Sequence, residues 1–213
     1  MNKNDFSNFP AIARMTGSLL IACVTLGFAV NFYVLADLGS DSITVFEHGL
    51  HNHFGISMGT ASFIYGATFF LLGMVFARKN MGLFSFLYAV ACAAAIDLTA
   101  LIVKPLYAFT ENMPMRILFL TLAILLTAFP CAVLIVTNHG MNSMDAVAWK
   151  LADALHIGFP PVRFSIEAVL MLTGWLLGGT VGIGSIAAVL LTGTLINLFV
   201  KLLGGNKARE ENV

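Results

Sequence analysis

NSMDAVAWKLADALH, residues 142–156, is too polar to cross a bilayer, yet it keeps a helical period in which Met144, Val147, Leu151 and Leu155 fall on one face. About a hundred residues earlier, DSITVFEHGLHNHFG at 41–55 holds the same place between apolar runs, with Gly49 interrupting its period. Each stretch predicts a short amphipathic or re-entrant helix, one near each membrane face.

The sequence around them is apolar. The chain has 213 residues, 59% of them hydrophobic and 10% charged, with a mean hydropathy of +0.90. That leaves too little polar surface to cover a water-soluble globule. Runs of about twenty apolar residues predict transmembrane helices at Ile12–Ala36, Met58–Ala77, Leu83–Val103, Ile117–Val136, Val162–Leu177 and Ile183–Leu203. The first run is too long for a signal-peptide core and has no small-x-small cleavage site before Asp37, so it is expected to stay in the protein. With the N-terminus inside, the inner face receives Lys3, Arg14, Arg78, Lys79, Lys150, Arg163, Lys201, Lys207 and Arg209, and the outer face only Lys104 and Arg116. This bias predicts cytoplasmic termini. Cys23, Cys92 and Cys131 all lie in apolar runs and read as small core residues, not as a disulfide framework or a zinc motif.

Sliding the chain by about a hundred residues aligns Gly39 with Gly140, Ser42 with Ser143, Gly73 with Gly174, Gly82 with Gly182, Ser85 with Ser185 and Asp97 with Asn197. Each half reads as a span, a polar helix, a second span, a tight glycine turn and a third span. Three crossings per copy is an odd number, so the second copy enters from the opposite face. The expected fold is an all-α integral membrane protein of six transmembrane helices, arranged as two inverted three-helix repeats (about 12–104 and 116–203) in one membrane domain, 1–213.

The patterns LGSDSITVFEHGL and GISMGTASFIYG, then HGMNSMDAVAWKL, VRFSIE and GWLLGGTVGIGS, resemble the YczE/YyaS/YitT family of bacterial membrane proteins. The resemblance runs from about Gly17 to Leu203, and its most specific part is the VRxxxE span followed by GWLLGGxVGIG. It implies a multi-pass protein of the bacterial plasma membrane, and a fold more than a reaction. A family-like Pro-x-Asp after the repeat glycine is replaced here by Ser143-Met144-Asp145 and by Ser42-Ile43-Thr44, and no counterpart of the C-terminal soluble domain of longer YitT-type members follows.

Several polar residues stand inside or beside the spans. Asp97, with Ala93, Ala94 and Ala100 on its face, is the leading candidate for a substrate or ion site, and Asn197 holds the equivalent place beside Gly193 and Thr194. The pseudo-symmetry would bring both toward the repeat interface; the alternative is interhelical hydrogen bonding. Arg163 and Glu167, one helical turn apart, can pair or can face a cavity. Asp145 with Ser143, and Asp41 with Ser42, either form binding corners or cap the short helices, whose dipoles would otherwise favour an anionic group. His48, His51 and His53 near Glu47 read as an exposed polar loop before they read as a metal site.

The glycines at 178–184 lack a following Lys-Ser/Thr and read as a tight turn between closely packed spans, not as a phosphate loop. Neither a Ser–His pair for proteolysis nor a basic patch interleaved with aromatics is present, so no enzyme activity, no cofactor, no metal and no nucleic-acid partner are expected. Lipid is the expected surrounding. The expected function is transport of a small solute through a central site between the repeats. A substrate-binding subunit of an energy-coupled uptake system and a non-transporting membrane scaffold are the alternatives.

Overall fold

A computed structural model describes residues 9–76, 83–137 and 143–203, and these are helical, without strands among the described residues. Among the described residues eight α-helices follow one another: α1 Phe9–Ala36, α2 Ser42–Phe54, α3 Met58–Phe76, α4 Leu83–Val103, α5 Met113–Thr137, α6 Ser143–Leu155, α7 Phe159–Leu176 and α8 Ile183–Leu202. A 3-10 turn, Lys104–Phe109, continues α4. Gly82, Gly140 and Asn142 from the repeat alignment and the second helix cap lie outside the described residues, as do Lys3, Arg78, Lys79, Lys207 and Arg209.

Five of these stretches are long and apolar enough to cross a membrane: Leu19–Ala36, Met58–Phe76, Phe86–Phe109, Met113–Val133 and Ile183–Leu202. The expected span at 162–177 forms α7, but Arg163, Glu167 and two prolines in its first half leave it less apolar than the other five. Outward faces are greasy, with Leu101 69% and Ile183 80% exposed. Water would penalise such surfaces and hydrocarbon does not, so this is a membrane protein.

The helices pack in two groups. In the first, α1 lies along both α5 and α4, and α5 packs on α8. In the second, α2 packs on α7, α3 on α6, α6 on α7 and α2 on α3. The main helix contact between the groups is α3 on α4, with a light touch of α1 on α2; α7 and α8, though consecutive, hardly meet.

Small residues set the close approaches. At α1–α4, a Cβ on Gly27 would sit 2.8 Å from the Ala95 carbonyl oxygen, and there the buried Asn31 amide donates to the carbonyls of Gly27 and Ile96, each 2.9 Å, and to Thr99 Oγ1 at 3.0 Å. The thiols of Cys23 and Cys92 meet in the same interface, sulfur to sulfur 3.3 Å, and both are free. Tyr33, Leu35, Val103, Phe119, Leu120 and Ile124 form the core of the first group; Tyr65, Phe69, Met144 and Leu170 form that of the second.

The glycine-rich segment 178–184 is a turn, but not between closely packed spans. Its glycines admit other backbone: Gly179 lies against the Val45 carbonyl of α2, Gly182 against the Leu38 carbonyl, and Gly184 N donates to Leu38 O at 2.8 Å. Gly178, at φ +93°, takes the left-handed conformation that glycine adopts without strain.

Candidate functional site

The α1–α2 connection carries the chain into the seam between the two groups. Asp41 is the N-cap of α2: its carboxylate accepts from Thr44 Oγ1 at 2.7 Å and, more loosely, from Thr44 N at 3.5 Å. It does more than cap. Tyr33 of α1, Glu47 of α2, Tyr65 of α3, Cys131 of α5 and Glu167 of α7 all lie within its electrostatic reach. Burial raises its pKa, against the opposing hydrogen bonds from Thr44.

Glu47, which the sequence placed with three histidines in an exposed loop, is only 3% exposed and turns inward instead. Burial pushes its pKa up to about 8, opposed by the facing Ser62 hydroxyl and reinforced by the Asp41 charge. A signal was available: Glu47 falls among Ile43, Phe46 and Leu50, on the apolar side of its helix. The histidines have other neighbours. His51 Nδ1 bonds the Ile56 carbonyl, its ring stacks with His48, and His53 abuts Phe54.

From the second half come Asp145, Arg163 and Glu167. The Arg163 guanidinium lies 3.2 Å from Asp145 Oδ1 and 3.1 Å from Glu167 Oε1, so one cation serves two carboxylates on different helices. Asp145 Oδ1 is buried and makes no aligned hydrogen bond, which leaves the contact purely ionic. Burial raises the Asp145 pKa while Arg163 opposes the rise. Ser42 and Ser143 are buried at the starts of α2 and α6. The structure thus brings together Asp41, Glu47, Asp145, Arg163 and Glu167: four carboxyl groups and one guanidinium. Acidic groups already occupy the helix starts that were expected to favour an anion.

Asp97 and Asn197 are not brought together. Asp97 Oδ1 accepts from Gly59 N at 2.8 Å and Oδ2 from Ser57 Oγ at 2.7 Å, so this carboxylate caps α3 from the neighbouring helix α4. It sits six residues before the end of α4 and near the middle of the apolar stretch Phe86–Phe109. Asn197 is exposed on α8. Interhelical bonding, the alternative weighed for Asp97, is what the geometry displays.

Residues 13–201 match the family of unknown function DUF6198. The chain belongs to that family. Among curated relatives, an uncharacterised protein of Haemophilus influenzae is 27% identical over 185 residues, covering 87% of this chain and 83% of the relative. The uncharacterised membrane protein YczE of Bacillus subtilis is 24% identical over 174 residues, 81% of this chain and 79% of its own. The resemblance to YczE read from the motifs is borne out. No solved structure matches.

Proposed function

We propose that this DUF6198 member is a transporter of a small solute in the bacterial plasma membrane, non-enzymatic, with both termini cytoplasmic and a central site between two inverted three-helix repeats. The observation that carries the proposal is the cluster at the seam to which the first half contributes Asp41 and the buried Glu47, and the second half the partly exposed Asp145, Arg163 and Glu167. Ionisable groups held inside a membrane protein are costly, and they persist chiefly along substrate or ion paths.

The repeat reading draws support from matched packing. Exchanging α1 with α5, α2 with α6, α3 with α7 and α4 with α8 turns the α1–α4 contact into α5–α8, α2–α7 into α6–α3 and α2–α3 into α6–α7, each of which occurs. The sixth crossing falls to α7, whose 18 residues extend about 27 Å at the usual helical rise, close to the hydrocarbon thickness. Its Arg163 and Glu167 pair with each other, and Arg163 also with Asp145, which lowers the cost of placing them there.

The test is a thermal-shift screen of the purified protein against small metabolites and ions, repeated on Glu167→Gln, followed by uptake of the stabilising solute into proteoliposomes. Binding to the native state raises the melting temperature. A ligand whose stabilisation disappears in the folded variant, and which the wild-type protein carries into vesicles, supports transport. Ligand-free behaviour throughout, with the variant merely less stable, favours a scaffold.

A further inference from the structure

α1 ends at Ala36, and its last carbonyls are held from another helix. Arg116, in the first turn of α5, donates from Nε to Ala36 O at 2.7 Å and from Nη2 to Asp37 O at 2.6 Å. Nη2 also pairs with Asp37 Oδ2 at 2.9 Å, and Thr180 Oγ1 donates to Asp37 Oδ1 at 3.0 Å. Asp37 itself takes the left-handed conformation, φ 47°, which aspartate tolerates better than most residues. Capping two carbonyls requires a cation there. It does not require an open carboxylate beside it, yet the Asp37 side chain is 59% exposed and that of Arg116 26%.

Both side chains line a cavity of about 350 Å³. His48 of α2 lines it too, as do Tyr107 and Thr110 at the turn that continues α4, while Val34 and Leu35 add apolar wall. The exposed Glu111 and Asn112 follow Thr110, which puts the cavity beside the polar connection between α4 and α5, where water reaches. Donors stand open in it. Among the described residues, the Tyr107 hydroxyl, the His48 ring nitrogens and Arg116 Nη1 make no hydrogen bond, so they are left to water or to a ligand.

The fixed charge of the wall is one cation next to one anion. Burial, helped by His51, lowers the His48 pKa against the pull of Asp37, so this ring is neutral at pH 7. A simple anion would meet Asp37 along with Arg116, and a simple cation would meet Arg116 along with Asp37. A zwitterion meets each with the opposite sign. Its anionic end can take the free arm of the guanidinium, and its ammonium the open side of the carboxylate, whose oxygens each accept more than one hydrogen bond. The volume is at the small end for ligand pockets. At the volume that liquid water occupies it holds about ten non-hydrogen atoms, the size of a neutral amino acid or of a phosphoethanolamine group.

We propose that this cavity binds a small zwitterion, a primary ammonium a few bonds from a carboxylate or phosphate, with Arg116 on the anionic end, Asp37 on the ammonium, and Tyr107 and His48 as further donors. A soluble amino acid and the ethanolamine headgroup of a lipid present the same pair of charges. The site is separate from the cluster around Arg163 and does not require transport. Its occupant would touch α1 and α5 of one helix group and α2 of the other.

The test follows the melting temperature of the full chain in detergent at fixed pH and ionic strength. The probes are L-alanine, L-glutamine and dihexanoyl phosphatidylethanolamine; the controls are sodium propionate, propylammonium chloride and dihexanoyl phosphatidylglycerol, which each lack one of the two charges. At least one probe should raise the melting temperature, and no control should match it. Asp37→Asn should weaken the half-saturating concentration roughly tenfold or more, since a charge-assisted contact is lost, and Tyr107→Phe should weaken it roughly two- to tenfold. Both variants are expected to fold: asparagine tolerates the left-handed conformation and leaves the Arg116 bonds to the two carbonyls in place, and the Tyr107 hydroxyl bonds nothing in the protein. Tighter binding of an amino acid identifies a soluble occupant, and tighter binding of phosphatidylethanolamine a lipid headgroup.

No shift with any probe, an equal shift with a singly charged control, or unchanged affinity in Asp37→Asn overturns the proposal. The transporter reading fails separately. A zwitterion shift that Glu167→Gln leaves intact, without uptake of any solute into proteoliposomes, keeps this site and removes transport. Uptake of a solute without a zwitterion shift does the reverse.

Discussion

α3 and α7 align with each other when the sequence is shifted by about a hundred residues, and they are held in opposite ways. α3 is fastened within its own half, where Asp97 of α4 accepts from the Gly59 N–H and the Ser57 hydroxyl. At the corresponding places the second half has Pro160 and Asn197. A proline nitrogen has no hydrogen to donate, so nothing equivalent can form. α7 instead leans on the other half: Gly174 meets the α2 backbone at Val45 and Phe46, Gly49 meets Gly174, and Asn52 Nδ2 donates to Gly178 O at 2.8 Å. One missing N–H thus goes with a helix that is docked on α2 of the first half and nearly free of its neighbour α8.

The largest effect should come from breaking that cross-half docking. A Cβ at position 174 would stand 2.5 Å from Phe46 Cα, and backbone cannot yield as a side chain can. Gly174→Ala is expected to cost about 3 kcal/mol or more, read as a lowered denaturation midpoint in detergent. Asp97→Ala removes the fastening in the first half and strands two donors; about 2 kcal/mol should be lost, with Asp97→Asn recovering part of it.

Glu47 aligns with Ala148 of the second half, and its carboxyl is held protonated up to about pH 8. Because the folded state binds this proton more tightly than the unfolded chain does, stability is fullest below the ordinary carboxylate range. It declines by about 1 kcal/mol per unit as pH rises toward 8. Glu47→Gln should make that decline shallower, though not abolish it, since Asp41 and Asp145 are also raised. Asn197→Ala, at an exposed position that holds nothing, should change stability by less than about 0.5 kcal/mol. A larger loss there would break the comparison between the halves.

Much of the fold was legible because lipid imposes long apolar runs and the short helices keep their period: the stretches 41–55 and 142–156 became Ser42–Phe54 and Ser143–Leu155. Arg163 and Glu167 were legible as a pair because one turn separates them. The link from Arg163 to Asp145 was not, since it spans two helices whose approach no local pattern encodes. The contacts of Asp97 were hidden for a related reason: one partner is the Gly59 backbone N–H, which has no side chain to announce it. Glu47 lay in plain view on the apolar side of its helix and was hidden by the histidines around it.

The Asp97 fastening has a mechanical consequence. It lies on the α3–α4 contact, the main helix-to-helix tie between the two groups, while at α7–α8 only a glycine turn closes the gap. That turn is itself tied to the α1–α2 connection, since Gly184 N donates to Leu38 O at 2.8 Å and Thr180 Oγ1 to Asp37 Oδ1 at 3.0 Å. The two groups are thus pinned by a carboxylate along one edge and by paired turns along the other.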